Sequence, residues 1–209
     1  HEQVFYTFVE QVPALIELEI TGGLITHYRN RGNVRVALWK IADAGPDDQG
    51  PTLVATDRSV PPDGVQRTVE LSPKEPGLYK IVIQDGGDRT QVTWPVGQRV
   101  TIRSSRQEPM NPNYSNWMLY FYVPKGTKVI GLHGGGHGEV QDSTGQPLFS
   151  LNDRQANFYS LPVPKGQDGK PWRIRYGRGA IRLLTVPPYF ARSVDELLLP
   201  SEVVASDGE

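Results

Sequence analysis

The chain has 209 residues, enough for one large domain or for two smaller domains that each bury a core. It carries 22 Lys and Arg against 23 Asp and Glu, so its net charge of −1 creates no strong field toward nucleic acid, and no apolar run is long enough to span a bilayer. The lack of Cys excludes a disulfide scaffold, thiolate catalysis and Cys-ligated metal sites.

Apolar and polar residues alternate in the first half of the chain, which is typical of half-buried β-strands. Residues 15–20 place apolar side chains on one face and two glutamates on the other. Tyr79, Ile81 and Ile83 are predicted to point inward from a more central strand, which ends at a Gly-Gly turn. The strands predicted for this half span residues 15–20, 34–41, 77–83 and 92–94.

The second half repeats this pattern, with Pro and Gly at the ends of nearly every run. The strands predicted here span residues 117–123, 128–133, 157–163, 172–176 and 180–186. Gly177-Arg178-Gly179 separates the last two of these runs. We interpret this tripeptide as the tight loop of a β-hairpin.

One helix is predicted, near the C-terminus. Ser193 and Glu196 form a capping box, in which the first residue caps the helix and the second reaches back to it. Residues 197–199 are leucines that would dock this helix, and Pro200 would end it.

A weak internal repeat divides the chain. The segment 8–13, followed by a strand and two glycines, resembles the segment 121–124, which is followed by a strand and three glycines. The fold class is therefore predicted as all-β, with two tandem antiparallel β-sandwiches of jelly-roll-like form and one short C-terminal helix. The predicted boundaries are 1–103 for the first sandwich, 104–115 for a polar linker, 116–190 for the second sandwich and 191–209 for the helix and tail.

Three stretches carry a resemblance to a known family. They are Tyr6-Thr7-Phe8 with Val12-Pro13, the segment Glu75-Pro76-Gly77-Leu78-Tyr79-Lys80-Ile81-Val82-Ile83, and the segment Tyr120-Phe121-Tyr122-Val123-Pro124-Lys125-Gly126-Thr127. They resemble bacterial pre-peptidase C-terminal-type domains, which are β-sandwiches of secreted proteases and polysaccharide-degrading enzymes. The second half departs from the pattern, because it has a strand centred on Trp172 in place of the Pro-Gly-Leu-Tyr element. The resemblance implies an accessory binding or spacing module and transfers no catalytic residue.

Aromatic and basic side chains supply candidates for carbohydrate binding. Trp39 shares the polar face of its predicted strand with Arg35, and Tyr28 lies in a polar turn, so each ring could stack on a sugar. Arg173 and Arg175 belong to an arginine stripe that could bind an acidic polysaccharide. The same residues also fit packing at the rim of the core and a solvated strand face.

The histidines supply candidates for a metal site. His133 and His137 flank three glycines, and their imidazoles either converge on a metal ion or lie exposed on a Gly-rich turn. His1 could chelate copper through its α-amine and ring, as the N-terminal histidine does in copper-dependent polysaccharide monooxygenases.

Asp85 and Asp88 lie in an oxygen-rich turn that could hold a structural Ca²⁺ or could be a turn only. The sequence has no nucleophile elbow, phosphate-binding loop or dinucleotide fingerprint. Candidate carboxylate pairs such as Glu17 and Glu19 fall on strand faces exposed to solvent. No catalytic cofactor is expected, and the chain is predicted not to be an enzyme.

These features together predict a non-catalytic accessory module of an exported bacterial protein, outside the cell or at its surface, since the chain begins at His1 without a leader. Its expected partner is a polysaccharide or a neighbouring protein domain. A structural subunit of an extracellular filament or surface layer, which pairs through its terminal strands, is the alternative. A copper-dependent polysaccharide oxidase that uses His1 is the third.

Overall fold

The computed structural model of the chain describes residues 2–42, 50–110 and 115–208. The chain divides into two compact units, His1–Arg99 and Val100–Glu209. We call them unit 1 and unit 2 and describe each by itself. In both units the strands pair antiparallel.

Unit 1 is built from two antiparallel sheets, with strand orders β1-β6-β3-β4 and β5-β2-β7. A 3₁₀ helix, Thr26–Arg31, connects β2 to β3. Its strands are β1 (Glu2–Val9), β2 (Ile16–Thr21), β3 (Arg35–Lys40), β4 (Thr52–Asp57), β5 (Gln66–Leu71), β6 (Gly77–Gln84) and β7 (Gln91–Thr93).

The core of unit 1 lies between these sheets. Tyr79, Ile81 and Ile83 of β6 are fully buried, as their alternation predicted. The ring of Phe5, on β1, contacts the ring of Trp94, just after β7, at 5.4 Å between centroids. This contact joins the inner faces of the two sheets.

Unit 2 has a four-stranded sheet, β12-β11-β14-β9, a three-stranded sheet, β13-β10-β15, and a short pair, β16-β8. Its strands are β8 (Ile102–Arg103), β9 (Ser115–Val123), β10 (Val129–Gly134), β11 (His137–Gln141), β12 (Pro147–Leu151), β13 (Asn157–Pro162), β14 (Lys170–Arg178), β15 (Ile181–Leu183) and β16 (Tyr189–Phe190).

One hydrophobic cluster fills unit 2. Trp172 and Phe121 come from the four-stranded sheet, Leu132 and Leu183 come from the three-stranded sheet, and all four are buried. Side chains from the inner faces of two sheets thus share one core, as in a β-sandwich. The predicted fold class, all-β with antiparallel sheets and a short C-terminal helix, is confirmed.

The predicted hairpin at Gly177-Arg178-Gly179 is wrong. β14 pairs with β11 and β9, whereas β15 pairs with β10 in the other sheet. The chain therefore crosses from one sheet to the other at this point. Two glycines flanking a short loop allow a sharp change of direction, but they do not determine which strand the next segment joins.

The predicted linker, 104–115, begins inside unit 2. Ser104 is fully buried, and its hydroxyl donates to the carbonyl of Ile181 at 2.6 Å and accepts from the N–H of Met110 at 3.1 Å. These bonds fix the first part of the predicted linker to unit 2. Residues 111–114 lie outside the described residues.

The C-terminal helix is displaced from its predicted position. Ser193 makes no side-chain capping bond, and only the short 3₁₀ helix Val194–Glu196 follows it. The α-helix α1 spans Ser201–Asp207 and begins directly after Pro200, which was expected to end a helix. No helix in the described ranges has both the length and the apolar character needed to cross a membrane.

Helix α1 is attached to unit 2 through Asp207, which is buried. Its carboxylate accepts from the backbone N–H of Lys125 at 2.8 Å, from the hydroxyl of Ser206 at 2.9 Å and from the hydroxyl of Tyr122 at 3.0 Å. The Lys125 N–H is the first cause that holds the pKa of Asp207 below its ordinary value of 3.8.

A group whose pKa is lower in the folded state contributes stability above its unfolded pKa and loses it as the pH falls through its folded pKa. We therefore expect the attachment of α1 to persist down to about pH 4 and to be lost below it. The NMR shift of the Lys125 amide proton should titrate with a midpoint below 3.8, and Asp207→Asn should abolish that titration. A midpoint at or above 3.8 would contradict this assignment.

Candidate functional site

The most exposed aromatic ring of the described chain lies on the three-stranded sheet of unit 2. Phe158 of β13 is 74% exposed. In the sheet register it lies opposite His133 of β10, which lies opposite Arg182 of β15. Ile181 and Leu183 flank Arg182 and are buried, so these three side chains share the outer face of the sheet. We call them the Phe158 row.

Direct contacts join the members of the Phe158 row. The rings of His133 and Phe158 lie 4.5 Å apart between centroids, tilted by 50°. Arg182 Nη1 lies 2.9 Å from His133 Nδ1. Because a guanidinium can only donate, this hydrogen bond requires the tautomer in which Nδ1 accepts and Nε2 carries the proton. The row thus presents an apolar ring beside an Nε2–H and the remaining guanidinium N–H groups.

The turn that precedes β13 is fixed by hydrogen bonds on both sides of Asp153. Its carboxylate accepts from the hydroxyl of Tyr159 at 2.6 Å, and this bond raises the pKa of Tyr159 to about 12. The carbonyl of Asp153 accepts from the N–H of Gly136 at 2.6 Å. Phe158 therefore stands on a strand whose entry is held to the β10–β11 turn.

The glycines between His133 and His137 serve close backbone packing. A Cβ on Gly134 would meet the backbone of Ala180, and a Cβ on Gly135 would lie 2.8 Å from the carbonyl carbon of Gln155. Gly136 has φ of 110°, and a Cβ there would overlap the carbonyl oxygen of Arg178. Three chain segments approach here at backbone distance, which only glycine permits.

The two predicted arginines of unit 2 lie on the outer face of its other sheet. Arg173 donates from Nε to the side-chain oxygen of Gln141 at 2.6 Å, and Gln141 donates in turn to Glu139. The guanidinium of Arg175 lies over the ring of Tyr176, 4.9 Å from its centroid. Both arginines therefore already have partners within the protein, as in a solvated strand face.

The predicted residues of unit 1 lie in two places. Trp39, half-buried, and Arg35, exposed, share the outer face of β3, where Trp39 lies opposite the exposed Leu53. Tyr28 lies in the 3₁₀ helix Thr26–Arg31, with the guanidinium of Arg31 at 3.7 Å from its ring centroid. Tyr28 and Trp39 thus belong to different elements of unit 1.

The predicted metal ligands are not gathered into one cluster. His133 bonds to Arg182, whereas His137 Nδ1 lies 3.1 Å from the side-chain oxygen of Asn152. No group of three or more His, Asp or Glu side chains suited to a metal occurs among the described residues. His1 lies outside them. Asp85 and Asp88 lie in the β6–β7 connection of unit 1.

The predicted terminal strand is a regular member of its own sheet. β1 pairs with β6 along its whole length, from Glu2 to Val9. Phe5 and Val9 are buried, while Phe8 is 50% exposed. The proposed pairing of this strand with a neighbouring molecule stays a prediction.

Sequence reasoning missed Phe158, which outranks the predicted aromatic residues in exposure. The sequence contained a signal for this exposure. Phe158 points to the same side of its strand as the exposed Ser160 and Pro162, opposite to the buried Leu161. What the sequence lacked was the register that places His133 beside Phe158 and Arg182 beside His133.

No family model matches this chain, and no curated protein matches it. The resemblance to pre-peptidase C-terminal-type domains therefore has no support from a family match. Among solved structures, the chain is similar to the tandem CBM51 modules of Sp3GH98, the family 98 glycoside hydrolase from Streptococcus pneumoniae SP3-BS71. The similarity covers 87% of this chain and 82% of that chain, with 8% identity and a TM-score of 0.25. A similarity of this size assigns neither a family nor a function.

Proposed function

We propose that this chain is a non-catalytic module that binds carbohydrate through the Phe158 row. One observation carries the proposal: a Phe ring that is 74% exposed lies in a row with two hydrogen-bonding side chains on the same sheet face. Burial of an apolar ring by a ligand releases free energy, and Phe158 has most of its surface to contribute.

The chemistry of a sugar matches both parts of the row. A pyranose ring has an apolar C–H face, which can stack on Phe158, and a rim of hydroxyl groups, which need hydrogen-bonding partners. His133 Nε2–H, beside the ring, and the other N–H groups of Arg182, one strand further along the row, can supply them. Arg182 can also bind the carboxylate of a uronic acid with two parallel hydrogen bonds.

The bond between Arg182 and His133 keeps both side chains in place before a ligand arrives. Holding side chains in one geometry in the free protein lowers the entropic cost of binding. Because the row spans three neighbouring strands, its spacing is set by the sheet and not by a loop.

Phe158→Ala is expected to weaken binding to the recognised polysaccharide at least about fivefold, since an aromatic anchor residue of a binding site commonly contributes about 1 kcal/mol or more. Binding is measured by affinity electrophoresis against neutral polysaccharides (xylan, β-glucan, galactan) and acidic ones (pectin, alginate, hyaluronan). His133→Ala and Arg182→Ala should each weaken polysaccharide binding as well. Both variants should still fold, because both side chains lie on the outer face of the sheet.

Phe8→Ala is the matched control, because Phe8 is also an exposed Phe on a strand face, 50% exposed, but lies opposite Leu78. It should leave binding unchanged. Loss of binding in Phe8→Ala or Trp39→Ala, with Phe158→Ala unaffected, would place the site on unit 1 and overturn the proposal. Absence of binding to every polysaccharide in the wild-type chain would also overturn it.

A further inference from the structure

The β6–β7 connection of unit 1 contains a buried carboxylate that has no partner. Asp88 is 1% exposed, and each of its carboxylate oxygens has less than 1 Å² of accessible surface and no hydrogen-bond partner. Thr90, 3% exposed, has an unpartnered hydroxyl oxygen two residues further on. Three unpartnered oxygens thus lie within three residues of one loop.

A buried ionised carboxylate without a partner is costly, because it loses its hydration and gains nothing in return. Proteins pair such a group with a cation or neutralise it. Arg31 reaches the same loop, but its Nη1 donates to the carbonyl of Gly86 at 3.1 Å and its guanidinium stacks on Tyr28. The protein therefore brings this arginine to the loop without pairing it with Asp88.

The loop cannot easily turn Asp88 toward solvent, because its backbone is held at several points. The carbonyl of Asp88 accepts from the N–H of Ile25 at 2.7 Å, and the carbonyl of Thr90 accepts from the side chain of Gln3 at 3.1 Å. Asp85 closes the first part of the turn by accepting from the N–H of Gly87 at 2.8 Å.

The backbone between Asp88 and Thr90 has an uncommon conformation. Arg89 has φ of 62°, in the left-handed region that residues other than Gly adopt rarely, and its carbonyl accepts from the N–H of Leu24 at 3.1 Å. The fold thus holds Arg89 in a strained conformation next to Asp88, instead of relaxing the loop so that the Asp88 carboxylate could reach solvent.

We propose that this loop binds Ca²⁺, with Asp88 and Thr90 as side-chain ligands and backbone carbonyls and water as the others. Ca²⁺ prefers carboxylate, hydroxyl and carbonyl oxygens and accepts irregular geometry. With a single carboxylate, the dissociation constant is expected at about 10⁻⁴ to 10⁻³ M.

The decisive experiment titrates CaCl₂ into the EDTA-stripped full chain and follows binding by calorimetry and the thermal unfolding midpoint. We expect the wild-type midpoint to rise with Ca²⁺. Asp88→Asn should remove that rise. Thr90→Val should lower the Ca²⁺ affinity at least about threefold, since it removes one ligand oxygen of a weak site. MgCl₂ should give a smaller rise, because Mg²⁺ requires stricter octahedral geometry.

The order of stability of the wild type and Asp88→Asn, compared in EDTA and in Ca²⁺, distinguishes loss of a Ca²⁺ ligand from a simple folding defect. In EDTA, Asp88→Asn should be at least as stable as the wild type, because the unpaired buried charge is gone. In saturating Ca²⁺, the wild type should be the more stable of the two. Asp142→Asn is the matched control, since Asp142 is also buried but its carboxylate accepts from Thr144 and Gln146; it should leave the Ca²⁺ affinity unchanged.

Two outcomes would overturn the proposal. One is a wild-type midpoint that does not respond to about 10 mM Ca²⁺, a concentration well above the expected dissociation constant, which would show that the loop does not bind the ion. The other is an equal response in the wild type and in Asp88→Asn, which would place Ca²⁺ elsewhere.

Discussion

Gly136→Ala is expected to destabilise unit 2 by about 3 kcal/mol, because it combines two costs. Gly136 has φ of 110°, where a side chain is strained, and its Cβ would overlap the carbonyl oxygen of Arg178. The oxygen belongs to the backbone, so it cannot move aside as a flexible side chain would. Urea unfolding followed by circular dichroism measures the loss.

Gly126→Ala separates the two costs. Gly126 also has a positive φ, 81°, but a Cβ there would have no neighbour within 4 Å. It should cost only about 1–2 kcal/mol, the price of the left-handed conformation alone. If the two variants lost the same stability, the close backbone approach at Gly136 would not be the cause.

Because the N–H of Gly136 also holds the carbonyl of Asp153, Gly136→Ala should weaken carbohydrate binding along with stability.

Trp172→Ala should lower the free energy of unfolding of unit 2 by about 3–5 kcal/mol, the usual cost of removing a large buried aromatic side chain. Trp172 is fully buried, its ring lies 6.4 Å from that of Phe121 between centroids, and its indole N–H donates to the carbonyl of Gln167 at 2.9 Å. Trp172→Phe keeps most of the apolar contact and loses the hydrogen bond, so it should cost less than half as much.

The counterpart in unit 1 is Tyr79→Ala. Tyr79 is also fully buried, and its hydroxyl donates to the carbonyl of Glu75 at 2.7 Å. If the two units are independent domains, Trp172→Ala and Tyr79→Ala should each shift a different unfolding transition in calorimetry. A single transition that both variants shift equally would contradict the predicted division into two domains.

The strands were predictable because one physical rule produces them. A strand with one face in the core must alternate, and Ile16, Leu18 and Ile20 are buried while Glu19 between them is exposed. The connections were not predictable in the same way. Whether β15 joins β14 or β10 depends on long-range pairing, which the local pattern at Gly179 does not contain.

The helix prediction failed for a related reason. The capping box at Ser193 is a local signal, but a helix forms only where enough helical residues follow it to offset the free energy of nucleation. Pro200 was interpreted as a stop signal, yet proline is equally compatible with a helix start, where its missing N–H costs nothing.

The candidate site was predictable only in part. The predicted Trp39 is half-buried, and the other three tryptophans, Trp94, Trp117 and Trp172, are buried. Phe158 is exposed because it occupies the outward phase of its strand, which the sequence contains. Its partnership with His133 and Arg182 depends on the register of three strands from distant parts of the chain.

The open turn at Gly166 offers an attachment point for a probe. A Cβ on Gly166 would have no neighbour within 4 Å, and Lys165 beside it is exposed. Because the chain has no cysteine, Lys165→Cys would introduce its only thiol. A fluorophore or a solid support joined there by maleimide chemistry would mark unit 2 at a single position, without a competing reaction elsewhere on the molecule.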